Sequence, residues 1–131
     1  MIRGGMCEVA KAAFLAGVHR DSDQYAVALY EHGIGPDTEA YTTRGEVSGA
    51  GYTAGGQLLK GWKAATKDGA AGIKADDAQW PVCTVKAAGA LVYNASHADK
   101  PAVLVLGFGE SVVSTNGPFT VRMPEWLLRF R

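Results

Sequence analysis

The run Tyr25-Ala-Val-Ala-Leu-Tyr30 is apolar on both of its alternating faces. As a strand it sets Tyr25, Val27 and Leu29 on one side and Ala26, Ala28 and Tyr30 on the other, because successive side chains point to opposite faces. Such a strand fits a position covered on both sides. His32-Gly33-Ile-Gly-Pro36-Asp37 breaks it with turn-forming residues.

The neighbouring segments supply the rest of a β-rich fold. Met6, Val9, Ala10, Ala13 and Phe14 recur at helical spacing and predict a short helix over 6–17, with Gly17 able to end it. Asp21-Ser22-Asp23 is a polar turn. Residues 36–56 read as a long polar loop, with one short turn of helix near 37–41; loops this long are usually functional or packed against something. Strands resume over 57–65, where the pattern is mixed. Lys67-Asp68-Gly69 is a hairpin signal, and 70–75 is the return strand. Residues 82–85 and 91–93 flank Ala87-Ala88-Gly89, which predicts one long strand with a bulge or bend at Gly89. A polar turn over 94–101 leads to an apolar strand over 102–108. Phe119, Val121 and Met123 alternate with Thr120 and Arg122, the pattern of a half-buried strand. Residues 127–130 are placed to close a sheet edge.

Seventeen glycines sit between these short runs, about twice the usual ~7%, as turns do in all-β domains. With 131 residues, residues 1–131 form one mainly β domain. The expected architecture is a β-sandwich or jelly-roll-like fold of about seven or eight short strands behind a short N-terminal helix. Val27, Leu29, Leu91, Val103, Val105, Phe119 and Val121 are expected between two sheets.

Charge and motif chemistry narrow the function. The 13 basic and 13 acidic residues cancel, whereas nucleic-acid binders draw affinity from a basic excess; no nucleic-acid partner is expected. No stretch approaches the length of a membrane span. The opening Met1-Ile-Arg-Gly-Gly lacks the continuous apolar segment of a signal peptide, so synthesis in a cytoplasm is expected. Cys7 and Cys83 read as reduced thiols. Ser48-Gly49-Ala50-Gly51-Tyr52-Thr53-Ala54-Gly55-Gly56 matches neither the dinucleotide nor the Walker spacing; it reads as a wide turn whose glycines permit close backbone packing. His19, Asp21 and Asp23 lack the further ligands of a calcium or zinc site. Asp76-Asp77 reads as a solvated turn. None of His19, His32 and His97 sits in a nucleophile motif. Asn94-Ala95-Ser96 is formally a glycosylation acceptor without a secretory signal to use it. Trp62, Trp80 and Trp126 are too dispersed for one platform and read as separate packing positions. The expectation is a non-enzyme with no catalytic residue, cofactor or metal.

Four runs resemble a family of small structural proteins of tailed bacteriophages. The first is Phe14-Leu-Ala-Gly-Val-His-Arg-Asp-Ser-Asp-Gln-Tyr-Ala-Val-Ala-Leu-Tyr30. The most distinctive is Tyr41-Thr-Thr-Arg-Gly-Glu46-Val-Ser-Gly-Ala-Gly51-Tyr-Thr-Ala-Gly-Gly56. Ala88-Gly-Ala-Leu-Val-Tyr-Asn-Ala-Ser96 and Asn116-Gly-Pro-Phe-Thr-Val-Arg-Met-Pro124 are similar in kind. The resemblance implies a virion protein made in the host cytoplasm. Its first implied role is a capsid decoration or cement protein that binds and stabilises the major capsid protein shell. Alternatives are a tail or head–tail junction protein and, from a different class, a carbohydrate-binding module using Tyr41, Tyr52, Trp62 and Trp80. Partners are then the major capsid protein or other virion proteins, with self-association open. The 36–56 loop is the expected contact element, through Tyr41, Arg44, Glu46 and Tyr52, since aromatic residues and Arg are enriched at hot spots. Its composition predicts a mobile loop that orders on assembly.

Overall fold

The computed structural model describes residues 2–20, 22–67, 69–124 and 127–130. It is mainly β, with one short helix near the N-terminus. The elements are β1 (Gly5–Met6), α1 (Glu8–Leu15), β2 (Tyr25–Tyr30), β3 (Gln57–Leu58), β4 (Lys63–Lys67), β5 (Ala70–Lys74), β6 (Ala78–Asn94), β7 (Ala102–Val121) and β8 (Leu128–Phe130). They form a five-stranded sheet in the order β1-β7-β6-β2-β3 and a three-stranded sheet in the order β4-β5-β8. Every strand pairing is antiparallel.

The doubly apolar run becomes β2, and all six of its residues are buried. Tyr25, Val27 and Leu29 join one hydrophobic cluster, which also takes Ile73 of β5 and Leu127, so the small sheet closes over this face. Ala26, Ala28 and Tyr30 join a second cluster with Ile2, Cys7 and Ala10, so the helix and its flanks close over the other. All seven expected core residues are buried. Leu91 and Val105, however, belong to the helix side and not to the space between the sheets. The reason is a shift of parity: register breaks between Ala87 and Gly89 and again between Val92 and Tyr93.

The bend expected at Gly89 is the first of these breaks. The strands expected over 102–108 and around 119–123 fuse into one 20-residue β7, because pairing with β6 resumes at Val112 and reaches Val121. The hairpin at Lys67 and Ala70 forms; its Asp68 lies outside the described residues. Residues 37–41 make no helix; a tight turn closes there instead, with Thr38 N donating to Gly35 O at 3.0 Å. The helix is shorter than expected because Gly5 and Met6 pair with Val105 and Leu104, a two-residue strand too short for a sequence pattern to reveal.

Candidate functional site

The 36–56 loop runs along the edge of β2. Glu31 N donates to Gly45 O at 2.9 Å, Val47 N to Leu29 O at 3.0 Å and Leu59 N to Tyr25 O at 2.8 Å. Between these ladder bonds the Leu29 N–H has no backbone partner; it donates to the Tyr52 hydroxyl at 3.0 Å. The glycines make this closeness feasible. A Cβ on Gly56 would collide with Val27 O, and one on Gly49 or Gly51 with the carbonyl oxygens of Thr84 or Val82 in β6. The close backbone packing read from the glycine run is therefore present.

The loop passes from one face of the sheet to the other, and Glu46 ties the crossing together. Tyr41 packs on the helix-side cluster and Tyr52 on the cluster between the sheets. Tyr41 OH donates to Glu46 Oε1 at 2.6 Å. Tyr52 OH donates to Glu46 Oε2 at 2.5 Å, and Gly55 N donates to the same oxygen at 2.8 Å. Tyr93 OH closes the arrangement by donating to Gly55 O at 2.6 Å. Burial, then the hydrogen bond to Glu46, push the Tyr41 and Tyr52 pKa values up, so both remain donors.

Of the four residues expected at the contact, Tyr41, Glu46 and Tyr52 thus meet in one internal knot. Of the four, only Arg44 is exposed. The glycines and tyrosines of the loop expected to be a mobile arm seat it on its own sheet in this structure. Tyr93 and Gly55 complete the knot; both lie in runs the sequence singled out, but neither was expected as a partner of the loop.

Other candidates resolve into packing. Trp80 is buried against Tyr52 and Phe119, and Trp62 stacks on Tyr25 at 3.5 Å between centroids; Trp126 lies outside the described residues. Tyr41 packs on the opposite side of the sheet from Tyr52, Trp62 and Trp80, so these four do not share one exposed face. Asp77 Oδ1 accepts from Met123 N at 2.6 Å. Cys7 and Cys83 are buried and free, and burial pushes the Cys7 thiol up to about 11. Among the described residues no group of three metal-ligating side chains occurs; Asp21 lies outside them. No described helix is long and apolar enough to cross a membrane. Asn94 is fully buried and holds His19 and Asp23.

The far half of the β6–β7 ribbon is less covered. Cys83, Val85 and Ala87 point into the core between the sheets. Their neighbours Val82, Thr84 and Lys86 face outward, and Lys86 pairs with Val113. Val82 is 60% exposed and Val113 63%. Beside them, the β7 edge borders an open groove of about 530 Å³ lined by Leu106, Phe108, Val112, Phe119, Val121 and Met123. The outward pair was missed because one valine sits beside Pro81 and the other beside a second valine, which hides the period of two. Comparison with protein-family models, curated proteins and solved structures gives no match.

Proposed function

We propose that this chain is a structural protein that works by binding other protein chains, as a decoration or cement protein on the major capsid protein shell of a tailed phage. The observation that carries the reading is the outward face of the β6–β7 ribbon, where two valines stand more than half exposed on ordered strands. Apolar side chains presented on a rigid surface and ringed by polar ones are the usual anatomy of a protein contact. Thr84 and Lys86 supply polar neighbours here. Arg44, on the loop surface, is placed to act at a rim, where a charge affects on-rate more than affinity. The resemblance of residues 41–56 to the phage family supplies the virion context.

The test is co-sedimentation of the purified chain with shells assembled from the major capsid protein. Saturable binding is expected, with loss of at least about tenfold in affinity for Val82→Asp combined with Val113→Asp, because a charge is carried into an apolar contact. Absence of binding to shells together with recovery on isolated tails would move the protein to the tail or junction class.

A further inference from the structure

His19 is only 7% exposed. Its Nδ1 lies 3.1 Å from Asn94 Nδ2. The orientation of Asn94 is fixed from two sides. Ser96 N donates to Asn94 Oδ1 at 3.0 Å, and Asn94 Nδ2 donates to Asp23 Oδ2 at 2.9 Å. An amide nitrogen carries two hydrogens and accepts nothing. The second hydrogen therefore points at His19, and His19 Nδ1 must be the acceptor. The ring proton then sits on Nε2, which is buried with no hydrogen-bond partner among the described residues. A second proton on Nδ1 would set one donor against another within 3.1 Å.

The surroundings of His19 offer that proton little. The helix contributes the Phe14 ring, 4.8 Å away between centroids, and β2 contributes Tyr25 at 6.1 Å. Its own loop contributes Asp23 and the exposed Arg20, and the β6–β7 turn contributes His97. Asp21 of the same loop lies outside the described residues. Burial first, then the neighbouring His97, hold the His19 pKa below its ordinary value, and the attraction of Asp23 opposes them.

The same residues clamp two segments together. His97 Nε2 lies 3.0 Å from Val18 O and 3.5 Å from Asp23 Oδ2. Gln24 N donates to Ser96 Oγ at 2.7 Å, and Ala95 N donates to Gln24 O at 2.8 Å. We propose that this clamp is an acid-sensitive latch: protonation of His19 releases the loop between α1 and β2 from the β6–β7 turn while the sheet and the helix packed on it stay folded.

The direction follows from proton binding. Above the ordinary histidine value of about 6.5, latched and released states both hold His19 neutral and the latch is at full strength. As pH falls below that value, the released state binds a proton that the latched state refuses. The latch weakens until pH passes the depressed value of the closed form.

Hydrogen exchange at about pH 7.5 and about pH 5, corrected for intrinsic exchange rates, tests this. Protection over 16–24 and 95–101 is expected to drop about tenfold on acidification, with 25–30 unchanged. In His19→Gln the side-chain carbonyl still accepts from Asn94 but does not titrate, so the drop is expected to vanish. Imidazole ¹⁵N shifts of the unmodified protein give a second reading that needs no variant: a neutral Nε2–H ring is expected at about pH 6. Uniform loss that includes 25–30, unchanged protection, a pH effect that survives in His19→Gln, or an Nδ1–H or doubly protonated ring at that pH would each overturn the latch.

Discussion

The large sheet has two long flanks, and they are treated differently. Along β2 an irregular chain closes the edge bond by bond, with a tyrosine hydroxyl standing in where no backbone carbonyl reaches. Along β7 the cover consists of Glu39, Cys7 and the short β1, and it stops at Gly107. Among the described residues nothing pairs with that flank from 108 to 121. Exposed edges invite further strands, and proteins blunt them with bulges and prolines. β7 carries both: its register with β6 breaks around Ser114 and Gly117, Asn116 adopts φ 51°, and Pro118 follows. A sealed edge belongs to the molecule's own stability, whereas a blunted but uncovered one is left for controlled contact. That division is why the proposed function rests on the ribbon and not on the loop.

Three pairs of substitutions break or sharpen the contrast. The largest effect is expected at Gly56. It sits at φ +77°, and an added Cβ would meet the backbone of Val27 and Ala28. Gly56→Ala combines left-handed strain with a clash that no rotamer relieves, so a loss of about 3 kcal/mol or more is expected in urea unfolding. Gly109 has a similar φ of +83° but open space around it. Gly109→Ala is therefore expected to show only the strain, about 1–2 kcal/mol. Equal costs at the two sites would mean that the loop is not seated on β2 as described.

That pair also shows what the sequence could and could not disclose. The six residues of β2 were legible, faces included, because both faces are apolar and the period of two is unambiguous. Gly89 was legible as a bend because it interrupts two apolar runs. The fusion of 102–121 into one strand was not, since the middle of the strand is held by the pairing of Val112, Val113, Ser114 and Gly117 with β6 and by Ser114, whose hydroxyl reaches Gly117 O at 2.9 Å. Composition marked the loop as glycine-rich and aromatic, which suits a mobile contact arm and a tightly seated loop equally. Only the tertiary position of Glu46 decides between them, through bonds to residues 5 and 6 positions away that form when the chain turns across the sheet edge. Asn94 likewise read only as a formal glycosylation acceptor at the start of a polar turn, and its burial depends on residues 71 and 75 positions away.

A smaller effect separates the two tyrosines of the knot. Tyr52→Phe removes a donor to Glu46 and also leaves the Leu29 N–H without its acceptor. An unsatisfied buried donor costs the full desolvation penalty, so about 1–3 kcal/mol is expected. Tyr41→Phe removes one bond to Glu46 and strands no backbone group, for an expected cost of about 0.5–1.5 kcal/mol. Thermal or urea unfolding of the two variants side by side gives the order. Tyr41→Phe proving the more damaging would show that Tyr52 does not complete the β2 edge.

The smallest effect on stability is expected on the open flank. Val113 is 63% exposed and pairs with Lys86 on a face that no core cluster covers. Asp in its place keeps an extended backbone, loses little buried apolar area and sits across from a cation. A change within about 0.5 kcal/mol is therefore expected in unfolding experiments, as at ordinary surface positions. The neighbouring Val112 points the other way, into the groove beside Phe119 and Val121, and at 41% exposure is partly covered. Val112→Asp is expected to cost more, about 1–2 kcal/mol, because the carboxylate faces apolar walls. Adjacent valines with opposite consequences are the signature of a strand with one covered and one uncovered face. If Val113→Asp destabilised the isolated chain as much as Val112→Asp, the outward face would already be serving the protein's own core. The binding defect expected of that variant could then not be assigned to a partner.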